Sequence, residues 1–376
     1  MTRAARSMRS AKPSVADSGN FSNRFQHIQL KGQTMNRVRN PFVDNVKLVL
    51  IVLVVVGHAL EPLVDASRGM KAVYVAIYAF HMPLFAAVSG ALAKTERKPG
   101  RVRGLMWRLL APFVIFQFLT FLLDVRDGVI EVNPLTIPHW PLWSLVALFV
   151  WSIALPFVAR RRGALPLSIA AALLIGTIDQ IGPPFSIARI IGFFPFFLGG
   201  HILGTSGLSA LSRRLKTSSA ITILCAVTAL SFSFSAQINH AWLYGVDGYA
   251  TLGVSALVGV FTRAGVMMLA CILSLAVIAL VPRGRTRVSA LAKKTLYAYL
   301  LHGFGLRVAK LVGIYDVASP EILGVTLVVV AAVGALVLMT EPVARIARPL
   351  VEPASVFRKR HASDGMSVKA AASVAP

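Results

Sequence analysis

Lys47 and His58 stand eleven residues apart. That is about three turns of an α-helix, which sets them on one face with roughly 16 Å of rise between them. Asp44 lies one turn before Lys47 and Glu61 one turn after His58, so a single stripe carries a carboxylate, a cation, an imidazole and a second carboxylate. The residues from Leu48 to Gly57 are all apolar or glycine. An imidazole in that setting suits proton transfer near neutral pH, and a cation at its edge suits an anionic ligand. His81, within FHMPLF, and His302, within YAYLLHG, fall near the middle of two further apolar stretches, and Ser89 follows His81 by about two turns. Three histidines at one depth imply a polar cavity inside a helix bundle, because an imidazole facing lipid is costly. No pair has the i, i+4 spacing of a helical metal site and no carboxylate accompanies them at that depth, so no metal is expected. A basic run, Lys94, Arg97, Lys98, Arg101 and Arg103, leads into Trp107 and Arg108. A cation one or two turns inside a helix points to a cavity or a phosphate-bearing ligand.

The elements that must position these groups are membrane helices. The 376 residues are 56% hydrophobic and 14% charged with a mean hydropathy of +0.70, whereas a soluble domain carries about a quarter charged residues. The excess of 39 Lys and Arg over 15 Asp and Glu, a net charge of +24, would suggest nucleic acid in a soluble protein; in a membrane protein it reads as basic cytoplasmic loops. Apolar stretches recur at 46–64, 72–93, 105–123, 142–159, 165–179, 187–204, 218–236, 264–282, 294–313 and 321–340. This predicts an all-α, polytopic membrane bundle of about ten transmembrane helices.

Segments on alternate sides hold 29 Lys and Arg against five, with Arg189 and Arg263 counted among the five as helix-end residues. Both termini are therefore expected in the cytoplasm. Asp124, Asp127 and Glu131 fall with the opposite loops, His139 reads as a solvated loop residue and His201 as a helix-end residue. The loop 237–263, with Trp242, Tyr244 and Tyr249, reads as an interfacial lid or a re-entrant segment. Residues 1–40 and 346–376 read as disordered basic cytoplasmic tails around a transmembrane domain at 41–345. Cys225 and Cys271 lie in apolar runs and read as inert packing residues.

These residues resemble the integral-membrane acyltransferase-3 family, which O-acylates carbohydrates of the bacterial envelope and includes relatives described as fucose 4-O-acetylases. FVDNVKLVLIVLVVVGHAL is similar to the family's signature of Arg or Lys, ten residues, then His, with Lys47 and His58 in the two places. FHMPLFAAVSGAL is similar to the second-helix motif. WRLLAP, PLWSLVALFVW, RIIGFFPFFLGG and TLYAYLLHG follow in order, so the resemblance covers about residues 40 to 345. Many members carry two arginines three residues apart before the third helix, where this chain has Arg101, Arg103 and Arg108. About 35 residues follow the last stretch, so the fused esterase-like domain of some members is not expected.

The resemblance implies a bacterial inner-membrane O-acyltransferase that moves an acyl group, most simply acetyl, from acyl-CoA to a hydroxyl of an envelope sugar, polysaccharide or glycolipid. His58 is then the general base, tuned by Glu61 or Asp44. Lys47, Arg101, Arg103 and Arg108 would receive the phosphates of coenzyme A. His81, Ser89 and His302 would bind the acceptor or stabilise the oxyanion. The competing reading is a transporter or flippase with a histidine proton relay. Neither reading names the acceptor hydroxyl or the oligomeric state.

Overall fold

The computed structural model describes residues 40–126, 137–139, 141–181 and 184–355. Residues 41 onward form one unit, an all-helical bundle with no strand among the described residues. In chain order the helices are α1 (Pro41–Leu60), α2 (Arg68–Tyr78), α3 (His81–Leu92), α4 (Arg101–Leu105), α5 (Ala111–Arg126), α6 (Trp143–Val158), α7 (Ala164–Leu174), α8 (Ile187–Leu211), α9 (Thr217–Ser233), α10 (Ala241–Tyr244), α11 (Ala256–Leu280), α12 (Thr295–Leu311), α13 (Pro320–Leu338) and α14 (Glu341–Val351). A π-helical turn, Met106–Leu110, joins α4 to α5. Six segments are long and apolar enough to cross a bilayer: Pro41–Leu63, Arg68–Leu92, Arg101–Val125, Ile187–Leu211, Ala256–Leu280 and Pro320–Leu338. The other four stretches form the shorter helices α6, α7, α9 and α12. Val325, Val329, Leu257 and Phe261 are among many large apolar side chains left on the outer flank, as a multi-pass membrane protein requires.

α1 is the axis of the bundle. Its side chains enter three separate apolar clusters: Leu48, Ile51 and Val54 one, Phe42, Val46 and Leu50 another, and Val55, Ala59 and Leu60 a third. Helix breaks follow prolines. Pro83 has no amide for the Ala79 carbonyl and its ring crowds it, so the second span bends at Ala79–Phe80, between α2 and α3. Pro112 likewise cannot bond the Arg108 carbonyl, and the turn before it is the π-helical one. Pro156 frees the carbonyl of Ser152 inside α6, and Arg101 Nη2 donates to it at 2.7 Å.

α3 and α8 meet backbone to backbone. A Cβ at Gly90 would lie 1.8 Å from the Phe197 carbonyl oxygen, and one at Gly200 would lie 1.9 Å from that of Ala87. This is the close approach that small residues permit between membrane helices, and it fixes α3, which carries His81, against α8, which carries Arg189.

Several sequence expectations change. α11 begins at Ala256, about two turns earlier than the apolar stretch suggested, because Ser255 caps it and accepts the Val258 amide at 3.5 Å; Arg263 is therefore inside a helix and buried. Arg189 is also buried. Cys225 and Cys271 are exposed on the bundle flank and pack in no core. α14 carries helical structure to Val351, past the expected boundary at 345. Asp127, Glu131 and the tails 1–39 and 356–376 lie outside the described residues.

The α3–α8 contact yields a paired prediction. Gly200→Ala should cost at least the ~1–3 kcal/mol of an overpacked core, seen as a drop of several degrees in the unfolding temperature of the detergent-purified protein. Gly199→Ala, where an added Cβ meets nothing within 4 Å, should leave it unchanged.

Candidate active site

His58 sits near the Leu60 end of α1 with its side chain 9% exposed. Gly57 makes room for what stands next to it: a Cβ there would meet the Tyr78 ring at 2.9 Å. The Tyr78 hydroxyl comes within 3.3 Å of His58 Nδ1, and Glu61 Oε2 lies 3.5 Å from the same nitrogen. A carboxylate beside Nδ1 favours the tautomer with the proton on Nδ1, which makes Nε2 the basic atom. The His302 ring centroid is 5.3 Å from that of His58. His302 Nδ1 donates to the Ala298 carbonyl at 3.0 Å, so its buried Nε2 carries the lone pair. That atom has no hydrogen-bond partner among the described residues. His81 Nδ1 donates to the Ile77 carbonyl at 3.1 Å, at the bend between α2 and α3.

His58, Tyr78 and His81 border a narrow cleft whose other walls include Trp143, Arg189 and Tyr299. Tyr299 is locked by Ser144 Oγ at 2.8 Å and by the Pro141 carbonyl. Arg189 is 5% exposed; its Nε donates to the Tyr244 carbonyl at 3.1 Å and its guanidinium lies 5.2 Å from the Trp143 ring centroid. Tyr244 closes the cleft from α10, sharing a 2.9 Å hydrogen bond with Tyr74. Burial pushes its hydroxyl up to about 12, so it stays neutral.

The structure thus brings His58, Glu61, His81 and His302 together, the last behind His58. Ser89, two turns further along α3, does not line the cleft. Asp44 and Lys47 lie at the other end of α1. Lys47 Nζ donates to the Ala292 carbonyl at 3.2 Å, while Asn45, whose role the sequence did not signal, bonds the carbonyls of Pro282 and Gly284, each at 2.8 Å, and accepts from Ser289 Oγ. Arg101 is engaged by the carbonyls of Glu96 and Ser152, both at 2.7 Å. Arg103 and Arg108 are exposed. Among the described residues no three His, Cys, Asp or Glu converge as a metal-ligand set.

Two groups were misread from sequence. Arg189 and Arg263 looked like helix-end charges and are instead interior; their signal was a cation with no acid at helical spacing on the same face. Asp124 and His139 looked like solvated loop residues. Asp124 is buried, pairs with Arg307 Nη2 at 2.6 Å and receives His139 Nε2 at 3.4 Å, which pins α5 to α12. His201 Nδ1 sits 3.3 Å from the Gly90 carbonyl at the α3–α8 contact.

Residues 40–341 match the family described as an acyltransferase domain. The chain belongs to this acyltransferase family. It is also similar to Nodulation protein NolL of Sinorhizobium fredii (strain NBRC 101917 / NGR234), 27% identical over 208 residues, which is 50% of this chain and 56% of that protein. The chain therefore spans about half the length of the curated relative it matches. No solved structure matches. The matched region begins at residue 40, at the start of α1, the helix that carries Lys47 and His58.

Two outcomes follow from the geometry. Gly57→Ala should displace Tyr78 and lower turnover on the order of 10²-fold, the scale of an ångström-level misplacement, with the unfolding temperature nearly held; single-turnover kinetics and thermal unfolding read the two separately. Asp124→Asn should destabilise the protein by roughly 1–3 kcal/mol, because it removes the charge that a half-buried guanidinium pairs with, and this is read by thermal unfolding in detergent.

Proposed function

We propose that this protein is an inner-membrane O-acyltransferase of a bacterium that transfers an acyl group, acetyl in the simplest case, from acyl-CoA to a hydroxyl of a cell-envelope sugar, polysaccharide or glycolipid. The observation that carries the reading is the His58 geometry: an imidazole with Glu61 and Tyr78 at Nδ1 that lines a cleft, within a chain that belongs to an acyltransferase family. The reaction needs a base for the acceptor hydroxyl, stabilisation of the tetrahedral oxyanion, and a proton for the departing thiolate. His58 Nε2 takes the hydroxyl proton as the oxygen attacks the thioester carbonyl carbon. The C–S bond then breaks and the imidazolium returns the proton to the coenzyme A sulfur. Glu61 holds the ring in the productive tautomer and stabilises the imidazolium, as a carboxylate does beside a catalytic histidine. His81 lines the same space as His58, and His302, its ring centroid 5.3 Å from that of His58, supports the base from behind.

The donor phosphates are assigned to the other end of α1. Lys47 lies three turns from His58, roughly 16 Å along the axis, a span suited to the extended pantetheine arm of coenzyme A. Arg103 and Arg108, exposed beside the π-helical turn, are free to meet phosphate, whereas Arg101 already serves two carbonyls. The basic side of the bundle then faces the cytoplasm, where acyl-CoA is found.

The test follows radiolabelled acetyl-CoA into envelope glycans of cells carrying the wild type or His58→Ala. Loss on the order of 10²- to 10⁴-fold is expected for a missing general base, and undiminished transfer would remove His58 from the mechanism. Lys47→Ala should raise the KM for acetyl-CoA by about ten- to a hundredfold, the scale of one charged hydrogen bond, with kcat less affected.

A further inference from the structure

Arg263 is 8% exposed and projects from α11 between two glycines. A Cβ at Gly192 of α8 would meet its Nη2 at 2.4 Å, and one at Gly245, which follows α10, would meet it at 3.2 Å. Among the described residues it makes no hydrogen bond and has no carboxylate within 4.0 Å. It lines a second, narrow cleft whose other walls include Tyr78, Phe193, Phe196, Trp242 and Leu243. Tyr78, Phe193 and Leu243 also line the His58 cleft, so the two spaces share a wall. The guanidiniums of Arg189 and Arg263 address the same turn: Arg189 bonds the Tyr244 carbonyl and Arg263 packs beside Gly245.

A guanidinium held among aromatic rings in the interior of a bundle is costly unless an anion answers it. Its fork fits the paired oxygens of a carboxylate or a phosphate, and the aromatic walls offer apolar faces to a sugar ring. We infer that the Arg263 cavity, backed by Arg189, binds an anionic sugar unit of the acceptor, a uronate or a sugar phosphate, while a neighbouring hydroxyl reaches His58. The word acceptor rests on the acyl-transfer reading above; the anion site itself does not. The site belongs to the acceptor and not the donor because it lies at the His58 end of α1, whereas Lys47 and the basic run lie at the opposite end.

The experiment uses the full chain in nanodiscs of neutral phosphatidylcholine and follows tryptophan fluorescence, since Trp143 and Trp242 line the two spaces. D-glucuronate and glucose 1-phosphate are titrated against glucose. Saturable quenching by at least one anionic sugar and none by glucose is expected, weakened at least tenfold in Arg263→Gln, with partial recovery in Arg263→Lys. His58→Ala should bind the anion as the wild type does, even where it abolishes transfer, which separates a failure of this site from a failure of the catalytic reading. Quenching by glucose equal to that by the anions, no response to either anion, or an undiminished response in a folded Arg263→Gln would overturn the proposal. Displacement of the sugar by coenzyme A without its acyl group would reassign the site to the donor and overturn it too. Should Arg263→Gln fail to fold, the wild-type comparison of anionic with neutral sugars still decides.

Discussion

A polar group carried into the interior of a membrane bundle has no water to turn to, and α1 is enclosed on all sides. Each polar group it bears must therefore be met by another part of the chain. Asn45 is met by the carbonyls of Pro282 and Gly284, Lys47 by that of Ala292, and His58 by Glu61 and Tyr78. Elsewhere the same demand assigns Arg307 to Asp124 and sends Arg101 to the carbonyl that Pro156 leaves open. The arrangement of helices around α1 is largely the set of answers to these demands. Arg263, like His302 Nε2, has no such answer among the described residues.

Close approach is the second organising force. Lipid and leucine are equally apolar, so helices gain little by merely touching, and contacts at which backbones approach become decisive. Gly90 and Gly200 allow α3 and α8 to touch, and Gly57 admits the Tyr78 ring beside His58. The geometry of the candidate site is thus set by residues without side chains as much as by its polar ones. Prolines complete the shaping: the bend that Pro83 forces ends α2 at Tyr78 and starts α3 at His81, so two consecutive half-helices each deliver an aromatic ring to the cleft.

The two ends of α1 differ in chemistry. The Leu60 end lies beside the aromatic walls and two buried guanidiniums; the Pro41 end carries Lys47 and packs against the 282–292 segment. A donor with a long arm and phosphates at one end, and an acceptor with a hydroxyl at the other, match that polarity. This also explains how Lys47 and His58 can share a helix face and never touch.

Much of this was legible in the chain itself. Apolar length located the six segments long enough to cross a bilayer and the shorter helices α6, α7, α9 and α12, because burying a backbone in hydrocarbon demands local hydrogen bonding whatever the partners are. The spacing of Lys47, His58 and Glu61 placed them on one stripe because helix pitch is local geometry. What lay beyond reach were facts about partners distant in sequence. The tie from Asn45 to the 282–289 segment, the pair formed by Asp124 and Arg307, and the interior position of Arg189 and Arg263 depend on which helices become neighbours. Sequence determined the helices, their breaks and the residue types on each face; only the tertiary structure decided which faces meet. Helix formation is a property of consecutive residues, whereas the pairing of buried charges is settled by helix packing, where one glycine or one bend redirects a side chain from lipid to cleft.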